Sequence, residues 1–137
     1  MPRRYNLYIS HSWTYSDAYD KLDKLLDEKL FFIYKNFFVP KNNPVHTNGS
    51  NFELQTVIKN YIIPCHVVII LAGVYSSYSN WIDKEISIAK TGFSAAKPIL
   101  AIEMRESERA NKVTDNADLI VTWNKEKIVS AIKELSE

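Results

Sequence analysis

The run His66-Val67-Val68-Ile69-Ile70-Leu71 constrains the fold more than any other stretch of this chain. A strand with one wet face alternates apolar and polar residues. This run does not alternate, and Ala72-Gly73 closes it after a strand's length. An apolar run of that kind fits a strand covered on both faces, the environment of a central strand in a parallel sheet. Such a strand needs helices on both sides, and the rest of the chain must supply them.

It does. Tyr5 to Ser10 reads as a first strand, with Leu7 and Ile9 facing one way, followed by the polar loop Ser10-His11-Ser12-Trp13. Ser16 or Asp17 can cap a helix to about Lys29, whose buried face holds Leu22, Leu25 and Leu26. Phe31-Phe32-Ile33-Tyr34 is a second strand, and a loop rich in Asn and Pro runs from about Lys35 to Ser50. Ser50 or Asn51 caps the next helix, with Leu54, Val57, Ile58 and Tyr61 at helical spacing until Pro64 stops it. Beyond the apolar run, Asn80 can cap a helix whose core stripe is Ile82, Ile86, Ala89 and Phe93. Pro98 to Ile102 and Leu119 to Val121 are the last two strands, separated by the charged stretch Glu103 to Asp115. Asn124 caps a final helix with Ile128, Ile132 and Leu135 inward.

Strands alternating with helices argue for a single α/β domain over residues 1–137. The expected architecture is a flavodoxin-like, doubly wound, five-stranded parallel sheet with helices on both faces. Ligands of such sheets bind beyond the carboxyl ends of the strands, near the switch in strand order. The loops expected at that rim are Ser10–Ser16, Lys35–Ser50, Gly73–Asn80, Glu103–Asp115 and Thr122-Trp123. A loop as long as Lys35–Ser50 inside a small domain suggests function.

The formal net charge is +1, so no global field favours nucleic acid or an acidic membrane. One cysteine, Cys65, rules out an internal disulfide and reads as a small buried apolar residue. No apolar run reaches the length of a membrane span. The start, Met-Pro-Arg-Arg, lacks the apolar core of a signal peptide, so a cytoplasmic location is expected.

Within the helix that follows the apolar run, Glu85 stands out. Its neighbours one turn away are Trp81, Ile82, Ile88 and Ala89, none of them basic. Trp81 and Glu85 lie one above the other on one helix face, near the mouth of the sheet. Two readings stand at this point. Acids near a helix N-terminus are favoured by its dipole, and a carboxylate among apolar residues also marks a site.

The usual ligands of this architecture are poorly served. With glycines only at 49, 73 and 92, the chain has no GxGxxG turn and no P-loop. The positions that would carry a receiver domain's acidic pocket and lysine hold Ser10-His11, Ala72-Gly73 and Val121-Thr122. His11, His46, His66 and Cys65 are scattered and suggest no metal cluster. A Ser-His-Asp triad could be drawn through Ser10 and His11, but there is no nucleophile elbow to support it.

Four stretches, in order, resemble the TIR-like domains of prokaryotes, the group that includes the TIR proteins of Thoeris anti-phage defence. Tyr8-Ile9-Ser10-His11-Ser12 is similar to the first TIR box, and Trp81 to Glu85 to the WxxxE pattern of NAD⁺-cleaving members. Lys97-Pro98-Ile99-Leu100-Ala101-Ile102 and Val121-Thr122-Trp123-Asn124, with Ile128-Val129, resemble the last two strand regions. Glu103-Met104-Arg105-Glu106 departs from the group, whose members often carry Pro and Gly after the fourth strand.

The resemblance implies cleavage of the nicotinamide–ribose bond of NAD⁺, here a substrate and not a bound cofactor. It also implies an ADP-ribose-derived signal, cyclic in the favoured reading, that a separate effector protein reads. Glu85 would then be the catalytic residue. The departing nicotinamide leaves a ribosyl oxocarbenium ion, and a carboxylate stabilises such charge as it develops. Ser10, His11 and Ser12 would contact ribose or phosphate, and His11 could be a polar partner to Glu85. Trp13, Phe37 and Tyr78 are candidates to stack on a flat ring, and Trp81 to support Glu85. No second carboxylate of comparable placement is evident. Residues 35–50 suit a lid, and self-association is expected to complete so small a site. The alternatives are a TIR module that only binds partners, and a sensor that binds ADP-ribose without turnover.

Overall fold

The apolar run forms the middle strand of the sheet. The structure, a computed structural model, describes residues 4–9, 16–29, 32–37, 51–72, 79–103 and 117–136. In chain order the described elements are β1 Arg4–Ile9, α1 Ser16–Asp27, β2 Ile33–Phe37, α2 Asn51–Ile62, β3 Val67–Ala72, α3 Ser79–Thr91, β4 Ile99–Glu103, β5 Leu119–Thr122 and α4 Lys125–Leu135. The strands are all parallel, in the order β2-β1-β3-β4-β5. This is the flavodoxin-like order, and its switch point lies between β1 and β3.

Burial follows from position in the sheet. Val67, Val68, Ile69 and Ile70 of β3 are wholly buried, as are Leu7 and Ile9 of β1 and Ile99 to Ile102 of β4. The edge strands β2 and β5 alternate between half-buried and exposed residues. One sheet face receives α2 and α3; the other receives α1 and α4. Tyr34 ties β2 to α1, its hydroxyl donating to the Asp23 and Asp27 carboxylates. The Asn36 amide donates to Asp23 from the same strand. Burial first, and then these carboxylates, push the Tyr34 phenol well above its ordinary range.

The edge where the strands begin is locked by polar contacts. The Lys97 ammonium donates to the carbonyls of Ile63 and Cys65, both at 3.0 Å, and lies 5.3 Å over the Phe93 ring. The Asp118 carboxylate accepts from the Ile99 amide at 2.7 Å. The Asn6 amide donates to His66 Nδ1 at 3.0 Å, so that nitrogen carries no proton and His66 serves the strand junction. Asn124 caps α4 by accepting from the Lys127 amide at 3.0 Å.

Three boundaries differ from expectation. The second strand extends to Phe37, so Lys35, Asn36 and Phe37 are sheet and not loop. A half-exposed edge strand accommodates Lys35 and Asn36 without burying a charge. α3 begins at Ser79, which puts Asn80 in its first turn and not at its cap. β4 includes Glu103, which had been assigned to a charged loop. Residues 38–50 and 104–116 lie outside the described residues, as does the Ser50 cap.

The packing predicts two stability effects. Ile69→Ala, at the centre of β3, should lower unfolding free energy by about 2–5 kcal/mol. Asn124→Ala should lower it by about 1 kcal/mol through loss of the cap. Urea unfolding followed by circular dichroism measures both.

Candidate active site

β1 and β3 meet at the switch point, and α3 runs back over them from the rim. Tyr8 is the next-to-last residue of β1. Leu7 and Ile9 face one side of the sheet, so Tyr8 faces the other, toward α2 and α3. On α3 the buried positions among the described side chains are Glu85, Ile86, Ile88 and Ala89, with exposed Ser87 between them. Glu85 lies six residues into the helix, about 9 Å along its axis at the helical rise per residue. That depth brings its carboxylate to the Tyr8 ring.

The two side chains meet in the core. The Tyr8 hydroxyl donates to Glu85 Oε2 at 2.5 Å, across 77 positions of sequence. Glu85 is 0% exposed and Tyr8 1%. A hydroxyl-to-carboxylate bond this short belongs to the charge-assisted class. Burial pushes the Tyr8 phenol well above its ordinary range, and the Glu85 charge and hydrogen bond push it further. The neutral phenol, a hydrogen-bond donor, is therefore the favoured form of Tyr8.

Glu85 thus sits under the rim and not on it. Its missing helical partner is explained by a tyrosine on another element. The sequence places Tyr8 in the first box without assigning it a role; His11, the other candidate polar partner, lies outside the described residues. The alternation in β1 held the signal. With Leu7 and Ile9 on one face of a sheet covered on both sides, the Tyr8 hydroxyl had to be buried and needed an acceptor.

A second carboxylate was also missed. Glu103 ends β4, only 8% exposed, and pairs in register with Ala72 of β3 and Thr122 of β5. It is not part of a solvated run. It stands at the carboxyl edge of the sheet, where ligands of this fold bind.

The other candidates are distributed differently. Phe37 is the last residue of β2, half-buried against the core, in register with Tyr8 and so on the same sheet face. The Lys35 ammonium lies 5.2 Å over its ring. Trp81 belongs to α3, and its side chain lies outside the described residues. Ser10, His11, Ser12, Trp13 and Tyr78 also lie outside them. Cys65 sits near the buried pair, its thiol donating to the Tyr61 carbonyl at 3.2 Å. Burial pushes that thiol up to about 12, with Lys97 pulling it partly back. Among the described residues no cluster of three metal-ligating side chains occurs, and no helix is long and apolar enough to cross a membrane.

The family model for the TIR-like domain of the Thoeris protein ThsB matches residues 8–109, well over half of the chain. The chain belongs to the ThsB TIR-like family. The match opens at Tyr8 and spans Glu85 and Glu103. Membership of the ThsB family implies a role in anti-phage defence. No curated protein matches the sequence.

Two titrations test this electrostatic picture. Tyr8 and Tyr34, among eight tyrosines, should stay un-ionised in alkaline absorbance titration until the fold is lost. The unfolded chain ionises its tyrosines near pH 10, so the folded state holds more protons above that pH. Stability should therefore be fully present below about pH 10 and fall as pH rises beyond it. At pH 8, Cys65 should react with a thiol reagent at least ~100-fold more slowly in the folded than in the unfolded protein.

Proposed function

We propose that this chain cleaves the nicotinamide–ribose bond of NAD⁺ and rejoins the ADP-ribose part into a cyclic signal for a separate effector. The observation that carries the proposal is a wholly buried carboxylate, Glu85, held by a hydroxyl beside the switch point of a ThsB-type TIR domain. The ring nitrogen of NAD⁺ is already cationic. When the glycosidic bond breaks, nicotinamide leaves with the electron pair as a neutral molecule, and no proton donor is needed. The positive charge passes to the ribosyl carbon and ring oxygen. A carboxylate in a water-poor site stabilises that charge far better than one in bulk solvent. Attack by a nucleophile of the same molecule closes a ring, and attack by water gives linear ADP-ribose. Excluding water therefore selects the cyclic product. Self-association would complete the site from the rim.

The same burial favours a second reading. In that reading Glu85, at 0% exposure, is an internal tether between α3 and β1 in a TIR module that binds partners.

Mass analysis of products after incubation with NAD⁺ separates the two. The proposal expects nicotinamide and a cyclic ADP-ribose isomer, with Glu85→Gln slower by about 10³-fold or more while the fold is retained. NAD⁺ left intact by the concentrated, self-associated wild-type protein would establish the binding module instead.

A further inference from the structure

We infer that Tyr8 is a positioning residue: its hydroxyl orients the Glu85 carboxylate and keeps it ionised for the developing ribosyl charge. The inference rests on the proposed role of Glu85. Three observations support it. The Tyr8 oxygen lies 2.5 Å from Glu85 Oε2, inside the range of charge-assisted bonds. Both residues are buried, so bulk water does not compete for the bond. The two groups come from rigid elements that flank the switch point, β1 in the sheet and the second turn of α3.

The physical need is clear. Burial without a donor drives a carboxylate to take up a proton, and a protonated Glu85 has no charge to offer an oxocarbenium ion. A donor held on a strand opposes that drive. It also fixes one carboxylate oxygen, which removes rotamers that would aim the charge elsewhere. Tyr8 touches Glu85 and not the reacting atoms, so it acts through the carboxylate. Besides Glu85, the titratable groups that act on the Tyr8 phenol include Cys65 before β3 and Tyr61 of α2. The Cys65 thiol, pushed up to about 12, stays neutral. Neither group is a cation.

The test compares NAD⁺ cleavage by wild type and Tyr8→Phe across pH, with thermal unfolding of Tyr8→Phe, Glu85→Leu (which removes the acceptor) and the double variant. Tyr8→Phe should lower kcat by ~10- to 100-fold, the scale of one hydrogen bond to a charged group. KM should change by less than about threefold, because substrate contacts are retained. The acid side of the pH–rate profile should move to higher pH, since the lost bond favoured the ionised form. In unfolding, the double variant should lie within about 2 °C of the less stable single variant, because both changes break one bond. A Tyr8→Phe enzyme with reduced kcat but an unmoved acid limb overturns the inference, as does wild-type activity. Additive losses in unfolding overturn it independently of any turnover. If the wild type cleaves no NAD⁺, the function reading fails and takes the catalytic purpose of the tether with it. The unfolding coupling then still decides whether Tyr8 holds Glu85.

Discussion

The hydrogen bond from the Tyr8 hydroxyl to the Glu85 carboxylate brings two polar groups together in the interior of this sheet. Either group buried alone would carry a desolvation cost that the core could not return. Together they join β1 to α3 across the switch point and fix the depth at which α3 lies on the sheet. The wholly apolar strands around them make this possible. β3 and β4 contribute no competing polar side chain until Glu103, at the rim.

The two edges of the sheet do different work. Where the strands begin, Lys97, Asp118, Asn6 and His66 bind backbone groups and lock the connections. Such contacts hold strand register and leave little for a ligand. The carboxyl edge instead carries Glu103 and, beneath it, the Tyr8–Glu85 pair. For the proposed reaction, in which nicotinamide leaves neutral and the positive charge passes to the ribose, this polarity supplies a stiff base and a negative charge sheltered from solvent.

Much of the architecture was legible in the chain. The unbroken apolar run from Val67 marked the central strand, and its alternation with helices gave the strand order its class. Errors arose where one-dimensional patterns stop being informative. The aromatic pair Phe31-Phe32 drew the second strand too early, because edge strands need no apolar run and Lys35 and Asn36 pair there freely. Glu103 looks solvated in the sequence because charged residues follow it, whereas it ends a strand paired on both sides and is buried. Glu85 stands out in the sequence because no basic residue lies one helical turn away. Its partner lay 77 positions away, beyond any helical spacing rule. The loop residues proposed to meet substrate lie outside the described residues, so their roles rest on the resemblance.

The account turns on whether the buried charge of Glu85 breaks a glycosidic bond or only holds a helix. The most direct measurement is the rate of nicotinamide release from NAD⁺ by wild type and Glu85→Gln, with matching circular dichroism spectra. Release by wild type, and its loss in an equally folded Glu85→Gln protein, is the result this account predicts. Equal rates in the two proteins, or no release from either under assembling conditions, would contradict it.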